Sequence, residues 1–172
     1  RNWQFSNPIA YAEWFYSRMT KVLQQRREHL AKLMEAKIED VPDWQVRTPL
    51  QRTVQLLKRH RDIYFTKTPK LKPASIIITT LAGHSYEGED DLYAAINGVV
   101  RGMPKYIERR NGKWWIPNPA YRGKNEENFA DKWNEGHERS EAFFNWLNAV
   151  QSDISAVRTK SFSEAVNVLT PS

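Results

Sequence analysis

The chain has 172 residues, 27% charged and 40% hydrophobic, and its 26 Lys and Arg against 20 Asp and Glu leave a net charge of +6. That length suits one domain, and seven tryptophans and seven phenylalanines supply apolar bulk for a core. No apolar run approaches the roughly 18 residues of a membrane-spanning helix, and the absence of cysteine excludes disulfide scaffolds and thiolate metal sites. We therefore expect no membrane contact, a cytoplasmic location, and an anionic partner: nucleic acid, a nucleotide or an acidic protein. The first residues are polar and aromatic with no apolar core segment, so no secretory leader is expected. The chain begins at Arg1 and enters a structured pattern almost at once, so it reads as a piece of a longer protein.

Ser6-Asn7-Pro8 marks a helix start, with Pro8 at the first helical position. The pattern predicts one long helix toward Lys37, with Tyr11, Trp14, Phe15, Val22, Leu30 and Leu33 on its apolar side and Arg26 and Arg27 on its polar side. Val41-Pro42-Asp43 breaks it. A second helix starts at Thr48, whose hydroxyl suits the cap, with Pro49 in the first turn and Gln51 completing a capping box. It ends near Phe65. Leu50, Val54, Leu57 and Arg61 share one face; Gln51, Gln55, Lys58 and Asp62 share another.

Ser75 to Gly83 is rich in Ile and Thr, which favours a strand. Ser75 as a cap, Pro73 before it and Gly83 as a C-terminal stop favour a short buried helix, which is the reading adopted. Glu89, Asp90 and Asp91 then complement the dipole of a helix carrying Leu92, Ile96, Val99, Met103 and Ile107. Asn111-Gly112 signals a turn, with a small hairpin from Tyr106–Glu108 and Trp114–Ile116. Pro117 to Lys124 is a loop. The last long helix is expected from about Glu127 to Val157, and a short terminal helix over Phe162 to Leu169. The sum is an all-α bundle of five or six helices, possessing one small hairpin, in a single domain spanning 1–172.

Several motifs carry chemistry. His29, His60, His84 and His137 lack paired spacing, Asp62 and Asp131 stand apart from further carboxylates, and the helix dipole accounts for the acidic group at Glu89. We expect no metal site and no catalytic constellation in this chain. Between Arg47 and Lys72 there are eight Lys or Arg residues and a single acid, Asp62. The run Lys58-Arg59-His60-Arg61 is either a solvated helix face or a phosphate-binding element. The basic loop that follows, and Ser75 at a helix start, favour phosphate, because a helix N-terminus with a hydroxyl is an anion site and a lysine reaching toward it makes a triphosphate cradle. Trp114 and Trp115 offer faces for base stacking, but Trp14, Trp44, Trp133 and Trp146 with them are better explained by packing. An alternative use of the basic surface is nucleic-acid binding through Arg26, Arg27, Arg109, Arg110, Lys113, Arg122 and Lys124. A third is docking of a regulatory protein.

Taken in order, Ser6-Asn-Pro with Tyr11-Ala-Glu-Trp-Phe15, Thr48-Pro-Leu-Gln with Val54-Gln-Leu-Leu-Lys-Arg-His-Arg-Asp62, Lys72-Pro-Ala-Ser-Ile-Ile-Ile-Thr-Thr-Leu-Ala82, Asn118-Pro and Glu127-Asn-Phe-Ala-Asp-Lys-Trp133 resemble the C-terminal helical half of a bacterial CD-NTase. That family is related to 2′-5′-oligoadenylate synthetase and cyclic GMP–AMP synthase. The resemblance covers nearly the whole chain. It implies a two-part nucleotidyltransferase of antiphage signalling that joins ATP- or GTP-type nucleoside triphosphates into a cyclic or linear oligonucleotide. An N-terminal core would carry a Gly-Ser motif and the acids that bind magnesium. The helical half would close the other wall of the cleft and hold the donor triphosphate. Lys58 and Ser75 match the family's triphosphate-holding positions, with Arg61 and Gln55 in support. The chain has no Gly-Ser element with an Asp-x-Asp pair, so by itself it is expected to be inactive.

Overall fold

A computed structural model describes residues 7–42, 46–121 and 126–157. Among them are six α-helices and one two-stranded hairpin. The Asn7 side chain accepts a hydrogen bond from the Ala10 amide and starts α1 (Pro8–Ser17), with the proline in the first turn. The predicted long helix is in fact two. Met19 leaves helical geometry (φ −123°, ψ 4°), and α2 (Thr20–Leu33) follows. The cause is tertiary: the Arg18 Nε donates to the Gly83 carbonyl at 2.8 Å, and Met19 is buried against the Thr48 hydroxyl. Leu33, expected on the apolar side, is 68% exposed. Glu35 then takes a left-handed conformation, and a 3-10 turn at Ile38–Asp40 leads out.

The second predicted helix stands as read. α3 (Pro49–Tyr64) has its full capping box: the Gln51 amide donates to the Thr48 hydroxyl, and the Thr48 amide donates to Gln51 Oε1. Leu50, Val54, Leu57 and Arg61 are all buried on one face. α4 (Ser75–Ser85) is the short buried helix, with Ile77, Ile78, Leu81 and Ala82 inside. Two of its expected boundaries shift. Ala74 occupies the cap and Ser75 is the first helical residue; Gly83 lies inside the helix rather than past its end. A Cβ at Gly83 would come within 2.7 Å of the Trp14 ring, so glycine is there for close approach to α1 rather than for a turn.

Asp91 caps α5 (Leu92–Gly102) by accepting from the Ala94 amide at 2.8 Å. The helical period ends there, and Met103–Tyr106 tighten into a 3-10 turn around Pro104. β1 (Glu108–Arg110) pairs antiparallel with β2 (Lys113–Trp115), slightly displaced from the expected strands. Both turn residues, Asn111 and Gly112, have positive φ, as a primed two-residue turn requires.

α6 (Glu138–Val157) begins eleven residues later than expected. Asn128 explains the delay. Its side chain accepts from the Ile116 amide and donates to the Trp114 carbonyl, both at 2.9 Å, binding the 126–130 segment to the end of the hairpin. A 3-10 turn over Asp131–Asn134 follows, with Trp133 buried. The expected helix over Phe162–Leu169 and the packing role of Trp44 lie outside the described residues.

One core joins α3, α4, α5 and α6, with Leu57, Ile78, Leu81, Val99, Phe143 and Trp146 fully buried. A small satellite of Leu23, Ala31, Val41 and Val46 sits under α2. No described helix is long and apolar enough to cross a membrane.

Candidate functional site

α3 places Gln55, Lys58 and Asp62 on one side, at the helical spacing of three and four residues. With Arg59, Ile63 and Thr66 they line an open depression of about 460 Å³. Lys58 is half-buried there. Burial first, and then repulsion from Arg61, lower its ammonium below the ordinary lysine value. An ammonium held among cations and partly stripped of water gains more than an exposed one from an arriving anion.

Arg61 belongs to the opposite, buried face. Its Nη1 donates to the Pro73 carbonyl at 3.1 Å and to the Ser75 hydroxyl at 2.8 Å. Its Nε and Nη2 both donate to Asp62 Oδ1, at 3.0 and 2.7 Å. Lys72 Nζ reaches the same carboxylate oxygen at 3.3 Å. Desolvation raises the Asp62 carboxyl, but hydrogen bonds and charge from Arg61 and Lys72 outweigh it and hold the group below the ordinary carboxylate value. The guanidinium thus clamps the last turns of α3 to the first residue of α4.

Of the four candidates, then, Arg61 and Ser75 are in direct contact, and Lys58 and Gln55 share the depression beside them. Arg61 is a buried tie with four of its five N–H donors engaged, two of them by Asp62 and one each by Pro73 and Ser75. Ser75 is exposed at the start of an 11-residue helix, where the dipole is positive. Asp62 and Lys72 were not singled out as partners in the sequence. The signal available was their charge and their place on either side of the basic loop.

His60 is not a free cation of the basic run. Its Nδ1 accepts from the buried Trp146 indole at 3.0 Å, which leaves the proton on Nε2 to donate to Asp153 at 2.9 Å. The contact locks α3 to α6. Four of the cations that a nucleic-acid surface would use are also engaged within the fold, while Lys113 is exposed on β2. Arg26 donates to the Arg47 and Asp90 carbonyls, and Arg27 to those of Ile38 and Val41. Arg109 lies over Trp114; Arg110 lies over Trp115 and pairs with Glu108 and Glu126. Arg122 and Lys124 lie outside the described residues. Trp114 packs against Trp133 and Phe144, so packing is its observed role.

Among the described residues no three His, Cys, Asp or Glu side chains converge on a point that suits a metal ion.

No protein-family model matches the chain. It is 32% identical over 153 residues to a c-di-GMP synthase of Roseivirga ehrenbergii, covering 88% of this chain and 39% of that protein. It is 29% identical over 134 residues to the cyclic dinucleotide synthase CdnG of Bradyrhizobium diazoefficiens, covering 72% of this chain and 30% of the relative. The chain thus spans well under half the length of these curated relatives. The solved structure of the Bradyrhizobium CD-NTase CdnG in complex with GTP superimposes with a TM-score of 0.67 and 23% identity, over 95% of this chain and 51% of that one. In sequence and in fold, the chain is a relative of part of the bacterial CD-NTases that make cyclic dinucleotides.

Proposed function

We propose that residues 1–172 form the helical half of a two-part cyclic-oligonucleotide synthase and that this half holds the donor triphosphate through Lys58 and Ser75. One observation carries the reading: the Arg61 bond to Ser75 sets the positive start of α4 beside the helix that presents Lys58. A lysine and a hydroxyl at a helix N-terminus together suit a polyphosphate, since the ammonium acts as a point charge and the dipole favours negative charge. The lowered ammonium of Lys58 fits as well, because a phosphate relieves the repulsion from Arg61. Gln55 lines the same depression as Lys58, and in this reading its amide would donate to a phosphate oxygen.

The substrates in this reading are guanine nucleotides, because one relative is named a c-di-GMP synthase and the similar solved structure holds GTP. The rest of the enzyme would be an N-terminal core that supplies the catalytic carboxylates and binds magnesium. In this reading the chain by itself makes no product, because the catalytic carboxylates belong to that core. Its wider role would be antiphage signalling, with the product acting on a separate effector.

The test is calorimetric titration of the chain with GTP and ATP, with and without magnesium, beside Lys58→Ala and Ser75→Ala. Weak triphosphate binding that is lost in both variants is the expected result. Binding unchanged in either variant removes that residue from the site.

A further inference from the structure

A larger concavity, of about 750 Å³, lies between α2, the start of α3 and the loop before α5. It shares no lining residue with the depression at Lys58. Its volume falls within the roughly 300–1,000 Å³ of sites that enclose small organic ligands. Val22, Leu30 and Val46 give it an apolar floor. Three arginines line it from three parts of the chain: Arg26 on α2, Arg47 in the segment before α3, and Arg52 at the end of the first turn of α3. Asp90 is the one acid among the lining residues.

Arg26 is half-buried and held by the fold. Its Nη1 donates to the Arg47 carbonyl at 3.3 Å, and its Nη2 donates to the Asp90 carbonyl. Both acceptors are neutral backbone oxygens, so these bonds fix the guanidinium without cancelling its charge. Three of its five N–H donors remain. The Arg47 and Arg52 side chains are exposed and have no partner among the described residues. Three guanidiniums against one carboxylate leave an excess of positive charge that an arginine cannot shed by losing a proton. Arginine forks match the paired oxygens of phosphate and carboxylate. The floor adds a preference for a ligand with a ring or hydrocarbon body. A nucleic-acid strand would instead need cations strung along an exposed surface, whereas Arg26 is tied down inside a concavity.

We propose that this concavity is a binding site for a small organic dianion, with phosphate or paired carboxylates on an apolar body. Arg26 is its fixed anchor, and Arg47 and Arg52 are its two free forks. The site stands apart from the triphosphate reading, since the two share no residue.

The experiment follows the NMR amide shifts of the isotopically labelled chain during titration with phenyl phosphate and with phthalate, which separate the two sources of the anion. Inorganic phosphate and neutral benzamide are run beside them. At least one organic anion should saturate at millimolar concentration or below and shift amides within residues 22–30 and 46–52. The tighter of the two identifies the anionic group. Inorganic phosphate should bind about tenfold or more weakly, because it offers nothing to the apolar floor. Benzamide should not bind measurably. The double variant Arg47→Gln/Arg52→Gln changes only exposed side chains and should weaken the organic anion by about tenfold or more. Lys113→Gln, which removes an exposed cation elsewhere, should bind as wild type does. The assignment is overturned if neither organic anion saturates, or if the double variant binds as wild type does. Shifts confined to residues 55–66 overturn it too, since they would place the anion beside Lys58. A single-stranded oligothymidylate that binds more tightly than either anion, and is weakened by the same double variant, would make the surface a nucleic-acid contact instead.

Discussion

Replacing Arg61 by methionine keeps the side-chain stem and removes the charge and every donor. Three acceptors lose their partner, and burial decides what each loss costs. The Pro73 carbonyl is bonded in the buried part of the site, so leaving it unpaired costs about 1–3 kcal/mol. Ser75 is exposed and re-bonds to water. The Asp62 side chain is 52% exposed and keeps Lys72, so its loss is about 0–1 kcal/mol. The 3–5 kcal/mol typical of a broken buried ion pair does not apply, because the carboxylate left behind is solvated. The sum is about 2 kcal/mol, or about 4–8 °C in melting temperature for a chain of this size. Urea and thermal denaturation of Arg61→Met, with Asp62→Asn as the milder control, measure it. An Arg61→Met protein within about 0.5 kcal/mol of wild type would refute the idea that this guanidinium ties α4 to α3.

Gly83→Ala should destabilise by about 1–2 kcal/mol: overpacking against the Trp14 ring costs about 1–3 kcal/mol, offset by up to about 1 kcal/mol of helix propensity. A lower urea midpoint with shifted tryptophan fluorescence would show it, and a more stable variant would contradict it. Burial, then the charge of Arg18, lowers the pKa of His84, which stacks on Tyr106 and meets the Trp14 ring at a tilt. Its folded value therefore lies below the unfolded value near 6.5. Stability should be full above about pH 6.5 and decline as pH falls from there through the folded pKa. Denaturation midpoints across that window should flatten in His84→Phe, and an identical pH profile in the variant would rule His84 out.

The parts of the fold that could be read in the sequence are those decided by local chemistry. Thr48, Pro49 and Gln51 set the start of α3, and Asn111-Gly112 set the turn, because capping and positive φ act over three or four residues. The parts missed were decided at long range. Nothing in Arg18-Met19 disfavours a helix; the break follows from a carbonyl 65 positions away. Asn128 looks like an ordinary helix residue until its amide meets the strand end at Ile116 and Trp114. The candidate site shows the same division. Periodicity placed Arg61 on the core face of α3, but only the folded chain assigns its donors to Pro73 and Ser75.

His60 and Arg61 are consecutive, so their side chains leave α3 about 100° apart. One is fastened to α6 and the other to the strap before α4. A rod keyed in two directions cannot roll, since turning it either way tears one key. Lys58 therefore cannot be swung toward or away from Ser75 by rotation of its own helix. Any adjustment of the ammonium toward the hydroxyl is then left to the flexible stem of the lysine, not to the helix that carries it.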